Sequence, residues 1–77
     1  MKFLQATRNL GLTVGSIDIT NANMVALRLK DGVIYFSTKK DYKVQEYELQ
    51  EIVRNLKIQG KTFKSLDLRF DKPVVKF

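Results

Sequence analysis

The amino-acid sequence predicts a small α+β domain, in which one main helix and a short N-terminal helix pack on one face of a largely antiparallel sheet of about five strands. Three observations lead to this class. The chain has 77 residues, enough for a single domain over residues 1–77. Hydrophobic residues make up 44% of it, a normal share for a folded protein. Two segments repeat apolar residues with the helical period, whereas the others alternate with the period of a strand.

The first two elements are a short helix and an irregular strand. Apolar residues recur on one helical face over residues 2–10, and Gly11 lies where this helix is expected to end. Residues 12–20 form the next predicted strand. Its apolar alternation changes parity at Gly15-Ser16, which predicts a β-bulge or a kink there.

A β-hairpin is predicted in the middle of the chain. Apolar residues alternate over residues 25–29 and again after Asp31-Gly32, a dipeptide typical of the two-residue type I′ turn. Such a turn pairs Lys30 with Val33. The apolar residues that this register places opposite each other are Leu29 with Ile34 and Leu27 with Phe36.

The main helix is predicted over residues 45–57, with Gly60 as its stop signal. Arg54 and Lys57 in its last turns suit the helix dipole. The buried stripe, with the spacing i, i+3, i+4, i+7, consists of Leu49, Ile52, Val53 and Leu56.

Two strands are predicted after this helix. The first covers residues 62–70, and a turn near Asp71-Lys72 connects it to residues 73–77. The residues of the first strand that are expected to face the core are Leu66, Leu68 and Phe70. If Phe70 pairs with Pro73, the apolar pairs are Val75 with Leu68 and Phe77 with Leu66.

The residue types argue against catalysis. The chain has no histidine and no cysteine, so the commonest general base, metal ligand and strong nucleophile are missing. Its glycines form neither a GxGxxG nor a Walker motif. We therefore predict a domain that is not an enzyme, with no catalytic residue, no metal and no cofactor.

The charge leaves two interpretations open. The formal net charge is +6. The lysines that cluster are Lys39, Lys40 and Lys43, and then Lys57, Lys61 and Lys64. They form either a solvated surface or a site for an anionic partner, namely an acidic protein, a membrane surface or a nucleic acid. Nucleic acid is not expected, because the sequence lacks an RNP-like aromatic run. Asp67 and Arg69 share a strand face, as an ion pair or as a partner contact.

Membrane and export signals are not evident. No window reaches the roughly 18 apolar residues of a membrane span, and residues 1–5 are too short and too soon polar for a signal peptide. The expectation is either a cytosolic protein or a domain excised from a longer chain.

The last segment has the features of an edge strand. A C-terminal strand after a hairpin has one neighbour unless the sheet closes, so its outer backbone groups are free. Pro73 and Lys76 are residue types that guard such edges, whereas Val74, Val75 and Phe77 form an extended apolar run. The strand is either a protected edge or a docking edge for a partner strand.

These ordered elements resemble the C-terminal β domain of the FtsQ/DivIB family of bacterial cell-division proteins. The most specific match is KSLDLRF at residues 64–70, which is similar to the family's IDLR strand with its aromatic residue. A short turn and a hydrophobic last strand at residues 73–77 follow, as in the family. Residues 15–19, residues 27–33 and the helix over residues 49–56 are similar in order and spacing.

The resemblance implies a non-catalytic scaffold of the bacterial divisome. Family members cross the cytoplasmic membrane once and carry a POTRA domain and then this β domain outside the cytoplasm. They recruit the FtsB/DivIC and FtsL coiled-coil proteins, one segment of which adds a strand beside the last strand. The chain is then an extracytoplasmic fragment of a longer, membrane-anchored protein, located at the outer face of the cytoplasmic membrane.

Carried over by position, the resemblance implies a partner-binding site at the C-terminal end. The predicted partner-binding residues are Arg69, Phe70, Lys72, Pro73, Val74, Val75, Lys76 and Phe77. The chain departs from the family in lacking a membrane segment and a POTRA domain, in its Lys72-Pro73 turn and in stopping at Phe77. The alternative function is that of a basic-surface module that binds nucleic acid or an anionic membrane.

Overall fold

A computed structural model describes residues 2–77. Met1, the first residue of the segment that is too short for a signal peptide, lies outside the described residues. The elements in chain order are α1 (Lys2–Asn9), β1 (Val14–Asn21), β2 (Met24–Leu29), β3 (Val33–Ser37), α2 (Tyr42–Gln59), β4 (Ser65–Asp67) and β5 (Val74–Lys76). The five strands form one sheet in the order β1-β2-β3-β4-β5. The predicted α+β class is confirmed.

One strand pair departs from the antiparallel pattern. β3 and β4 are parallel, whereas the other three neighbouring pairs are antiparallel. A parallel pair cannot be joined by a tight turn and requires a crossover connection, which is usually a helix. The 18-residue helix α2 supplies that crossover. Along the chain, α2 separates the β1-β2-β3 meander from the β4-β5 pair, and both belong to the same sheet.

A single core cluster unites helix and strand residues. The fully buried members from the strands include Leu27, Ile34 and Leu66, and Leu49 of α2 joins them. The ring of Phe3 in α1 stacks on the ring of Phe36 in β3 with a centroid distance of 4.3 Å. Burying one such aliphatic or aromatic side chain stabilises the fold by about 1.5–3 kcal/mol.

The helix α2 begins earlier than predicted. It starts at Tyr42, and the carboxylate of Asp41 caps it by accepting a hydrogen bond from the backbone N–H of Lys43 at 2.8 Å. Gly60 ends it in the left-handed conformation with φ of 67°, as the sequence predicts. Because the cap at Asp41 lies before the apolar stripe begins, the stripe alone placed the helix start too late.

The turn of the central hairpin lies one residue earlier than predicted. The N–H of Leu29 donates to the carbonyl of Gly32 at 2.7 Å, so Lys30 and Asp31 form the turn. In the described part of the chain no residue of this turn has a positive φ, so the predicted type I′ turn is wrong. Gly32 is required for another reason, because a Cβ atom there would lie 2.6 Å from the carbonyl oxygen of Phe63.

Both predicted hairpin registers are wrong by two residues. Val33 pairs with Arg28 rather than Lys30, and Val75 pairs with Leu66 rather than Leu68. A shift of two keeps every apolar residue on its original face, because side chains alternate with a period of two. The irregularity predicted at Gly15-Ser16, a β-bulge or a kink, is confirmed, since the register shifts between Val14 and Ser16.

The strand β4 is much shorter than predicted. It spans Ser65–Asp67 rather than residues 62–70. Leu66 and Leu68 are fully buried as expected. Phe70 does not face the core, since its side chain is 53% exposed. The chain leaves the sheet after Asp67, so the strand alternation that would turn Phe70 inward does not reach it.

Candidate protein-binding edge

Among residues 2–77, the strand β5 lies at one end of the sheet and pairs only with β4. We define the C-terminal edge as β5 with its flanking residues Pro73 and Phe77. β1 forms the opposite end of the sheet. The C-terminal edge is short, and short edge strands resist uncontrolled association with other chains.

The hydrogen bonds of β4 determine which backbone groups of the edge are free. The N–H of Leu68 donates to the carbonyl of Tyr35 in β3 at 2.9 Å. Neighbouring residues of a strand direct their backbone groups to opposite sides, so the N–H and C=O of Asp67 point toward β5. The N–H and C=O of its partner Val74 point toward β4. The backbone N–H and C=O of Val75 therefore point to the open side.

A second contact leads to the same orientation. The carbonyl of Lys76 accepts a hydrogen bond of 2.7 Å from the N–H of Lys64, so the backbone groups of Lys76 point toward β4. By alternation, Val75 and its second neighbours Pro73 and Phe77 face outward. Pro73 has no N–H, so it offers the open side only a carbonyl. Within β5 the open side is offered one complete donor–acceptor pair, that of Val75, and Phe77 adds an outward N–H beyond the end of the strand.

Apolar side chains surround this open backbone. The exposed fractions are 41% for Val74, 53% for Phe70 and 63% for Phe77. Val75 is half-buried and packs against the core cluster. The ammonium group of Lys61 lies 5.6 Å from the centroid of the Phe77 ring. An incoming strand would find both an unpaired backbone and apolar surface.

Arg69 is held in place beside the edge. Its guanidinium donates two hydrogen bonds to the carboxylate of Asp67, at 2.9 and 2.6 Å. The backbone N–H of Arg69 donates to the same carboxylate at 3.0 Å. The guanidinium also lies 5.2 Å from the ring centroid of Tyr35 and 5.5 Å from that of Phe70. Of the two interpretations for Asp67 and Arg69, the ion pair is present, and it fixes the orientation of Arg69.

The ion pair shifts the acid–base behaviour of Asp67. Partial burial on its own would raise the pKa of this carboxyl group. The hydrogen bonds from the side chain and backbone of Arg69 outweigh burial, with a smaller contribution from the charge of Lys76, and the pKa of Asp67 is lowered. The same pairing raises the pKa of Arg69.

This shift predicts a pH-dependent loss of stability. Because the folded-state pKa of Asp67 lies below its unfolded value, the ion pair contributes fully above the unfolded pKa. The contribution is lost as the pH falls through the folded-state pKa. The free energy of unfolding of the wild type should therefore fall more steeply between about pH 5 and about pH 2 than that of Asp67→Asn. Urea unfolding across this range measures both slopes, and equal slopes would contradict the assignment.

A lysine connects the loop before the edge to the main helix. The ammonium group of Lys40 donates to the carboxylate of Glu48 at 2.8 Å, to the carbonyl of Leu68 at 3.2 Å and to that of Phe70 at 2.7 Å. Lys40 was predicted as part of a basic surface cluster. It is instead largely buried, and it anchors the chain between β4 and β5.

The structure brings most of the predicted site residues together. Val74, Val75 and Lys76 form β5, with Pro73 and Phe77 on either side. Phe70 and Arg69 stand in the loop between β4 and β5, where their side chains contact each other. Lys72 is exposed in the same loop and makes no ion pair in the part of the chain that the structure describes.

Two polar residues near the site were not predicted as site residues, namely Lys40, which anchors the loop before the edge, and Gln45, which donates to the backbone carbonyl of Lys40. The side chain of Gln45 is fully buried and bonds both backbone groups of Ser37 at the end of β3. A signal for Gln45 exists in the sequence. It lies four residues before Leu49, on the buried stripe, where a polar side chain indicates a buried hydrogen-bond network.

Comparisons with known proteins do not identify the chain. No family model, no curated protein and no solved structure matches it. Across residues 2–77, no helix is long and apolar enough to cross a membrane. In the same residues, no group of three or more acidic, histidine or cysteine side chains could hold a metal ion. The interpretation of the site therefore depends on its geometry.

Proposed function

We propose that this chain is a non-catalytic scaffold module that binds an extended segment of another protein by adding it as a strand to the C-terminal edge. The observation that carries the proposal is the outward orientation of the Val75 backbone on a strand that pairs only with β4. In strand addition, backbone hydrogen bonds provide affinity and side-chain contacts provide selectivity. The edge offers both kinds of contact.

The surroundings of the edge define the chemistry of the partner segment. Phe70, Val74 and Phe77 favour apolar side chains on the incoming strand. Arg69, Lys72 and Lys76 favour acidic residues on its flanks, which would tune the association rate and selectivity. The partner is therefore an extended, apolar segment with acidic flanks.

The resemblance to FtsQ/DivIB β domains supplies the biological side of the proposal. In this proposal the chain belongs to the bacterial divisome and acts at the outer face of the cytoplasmic membrane. Its partner is a segment of an FtsB/DivIC-type protein in complex with an FtsL-type protein. The ordered motifs at residues 15–19, 27–33 and 64–77 support this assignment.

Val75→Pro tests strand addition directly. Proline removes the one outward N–H at the centre of the edge without removing a donor to β4. We expect the dissociation constant for a labelled FtsB/DivIC-type peptide to rise by about 10- to 100-fold, the equivalent of one lost buried hydrogen bond. Fluorescence anisotropy at fixed ionic strength measures this change.

Two further variants separate binding from folding. Val75→Ala makes a similar loss of half-buried packing and keeps the N–H, so it should retain most of the affinity. Phe77→Glu places a charge on the exposed apolar end and should weaken binding. Unchanged binding by both Val75→Pro and Phe77→Glu, in variants whose circular dichroism shows a folded domain, would refute strand addition at this edge.

Ionic strength distinguishes this function from the alternative of binding to phosphate groups. For strand pairing with apolar contact, the dissociation constant of the peptide should rise only about two- to fivefold between 50 and 200 mM salt, because salt screens only the charges at the rim of the site. A protein that makes several phosphate contacts loses affinity by orders of magnitude over the same range. A steep salt dependence of peptide binding would argue against strand addition as the main interaction.

A further inference from the structure

A pocket lies at the end of the core that is distant from the hydrogen bonds of Gln45. It opens between the α1–β1 connection, the β2–β3 turn and the segment that joins α2 to β4. Its volume is about 270 Å³, and its walls are largely apolar. The apolar lining residues are Leu12, Leu29, Val53, Leu56 and Phe63.

The charged residues around this pocket are mostly basic. Lys30, Lys57 and Lys61 line it together with a single acid, Asp31. In the part of the chain that the structure describes, none of these three lysines has a carboxylate within ion-pair distance. The ammonium group of Lys57 donates to the carbonyl of Leu10 at 2.7 Å, and that of Lys61 lies 5.6 Å from the centroid of the Phe77 ring. A ring contact does not occupy the N–H donors of Lys61, so Lys30 and Lys61 are the better placed cations.

The nearby C-terminal end of α2 offsets only part of this positive charge, because two of its terminal carbonyls have hydrogen-bond partners. The carbonyls at a helix C-terminus carry a partial negative charge that disfavours anions. Here the N–H of Lys61 donates to the carbonyl of Leu56 at 2.9 Å, and the N–H of Gly60 donates to that of Lys57 at 3.2 Å. These terminal carbonyls are therefore engaged in hydrogen bonds beside the pocket.

We propose that this pocket binds a small amphiphilic anion, a single alkyl chain with a carboxylate head group. The apolar walls take the alkyl chain, and Lys30 and Lys61 take the head group at the mouth. This inference goes beyond strand addition, because no residue of the C-terminal edge lines the pocket. The two sites meet at Lys61, whose ammonium group lies over the Phe77 ring.

The volume argues for one chain rather than a two-chain lipid. Sites for drug-sized ligands occupy about 300–1,000 Å³, so a pocket of about 270 Å³ accepts a ligand at or below the lower end of this range. The source of the ligand is therefore a free fatty acid-like molecule rather than a phospholipid in a bilayer.

An NMR titration with hexanoate, octanoate and decanoate tests the proposal. We expect backbone amide shifts at Leu29, Gly32 and Phe63, with affinity rising by about fourfold for each added methylene until the pocket is filled. Octyltrimethylammonium, which has a similar chain and the opposite charge, should bind at least about tenfold more weakly. All ligands are used below the concentrations at which they form micelles.

Three variants make the outcome specific. Lys61→Gln should weaken octanoate binding by about two- to fivefold, as expected for an exposed charge, whereas Lys43→Gln on the first turn of α2 should not change it. Thr13→Trp places a large ring on an exposed wall of the pocket and should abolish the shifts.

Three outcomes would overturn the proposal. The first is equal affinity for octanoate and octyltrimethylammonium. The second is a set of shifts scattered over the whole domain instead of around the pocket. The third is binding to vesicles of anionic phospholipid with no pocket shifts from octanoate, which would assign the basic residues to a membrane surface.

Discussion

Replacing Gln45 by leucine should lower the free energy of unfolding by about 2–4 kcal/mol, because it removes the fully buried side chain that bonds several part-buried backbone groups. The Oε1 atom of Gln45 accepts a hydrogen bond of 2.8 Å from the N–H of Ser37. Its Nε2 atom donates to the carbonyls of Ser37 at 2.9 Å and Lys40 at 3.1 Å. Leucine fills a similar volume, so the loss reports the missing hydrogen bonds rather than a cavity.

A matched control lies on the same helix. Gln50 is exposed, so Gln50→Leu should change the free energy of unfolding by less than about 0.5 kcal/mol. Thermal unfolding followed by circular dichroism compares the two variants, and each kcal/mol corresponds to about 4–8 °C in Tm for a domain of this size. Equal effects of the two substitutions would show that the Gln45 network does not stabilise the junction between β3 and α2.

Replacing Lys40 by methionine should be similarly severe, at about 2–4 kcal/mol, and should also loosen the loop that carries Phe70. The substitution keeps the long side chain and removes the ammonium group. It leaves the largely buried carboxylate of Glu48 unpaired, along with the carbonyls of Leu68 and Phe70. Urea unfolding measures the stability, and amide hydrogen exchange over residues 68–72 measures the mobility of the loop.

The double variant Lys40→Met/Glu48→Leu separates the two consequences. Removing both members of a buried ion pair often restores stability, so the double variant should unfold at a higher urea concentration than Lys40→Met. Exchange in the loop should stay fast, because its carbonyls still lack the ammonium group. Lys39→Met, at the exposed neighbouring lysine, should change neither quantity. Slow loop exchange in Lys40→Met would rule out the anchoring role.

These two residues show how far the candidate site could be predicted. The edge strand was predicted from local features, namely a terminal apolar run after a turn. The support for that edge was not predicted, because Lys40 lies 28 residues from Leu68 and 30 from Phe70 along the chain. Its position next to two other lysines indicated a solvated charge. Only the packing of the loop against the start of α2 turns it into a buried anchor.

The order of the helices and strands, the face on which most apolar residues lie and the terminal position of β5 follow from local patterns in the sequence. Those patterns depend on residues that are close together in the chain, so no tertiary information is needed to interpret them. The absence of histidine and cysteine is equally a property of the sequence alone.

The tertiary structure decided the registers, the parallel pairing of β3 with β4 and the exposure of Phe70. A strand pattern repeats every two residues, so registers that differ by two bury the same side chains and the sequence does not distinguish them. Contacts between segments that are distant in the chain select one of these registers. At the central hairpin, the backbone of Phe63 approaches Gly32 so closely that no side chain fits there. The crossover through α2 sets the direction of β4.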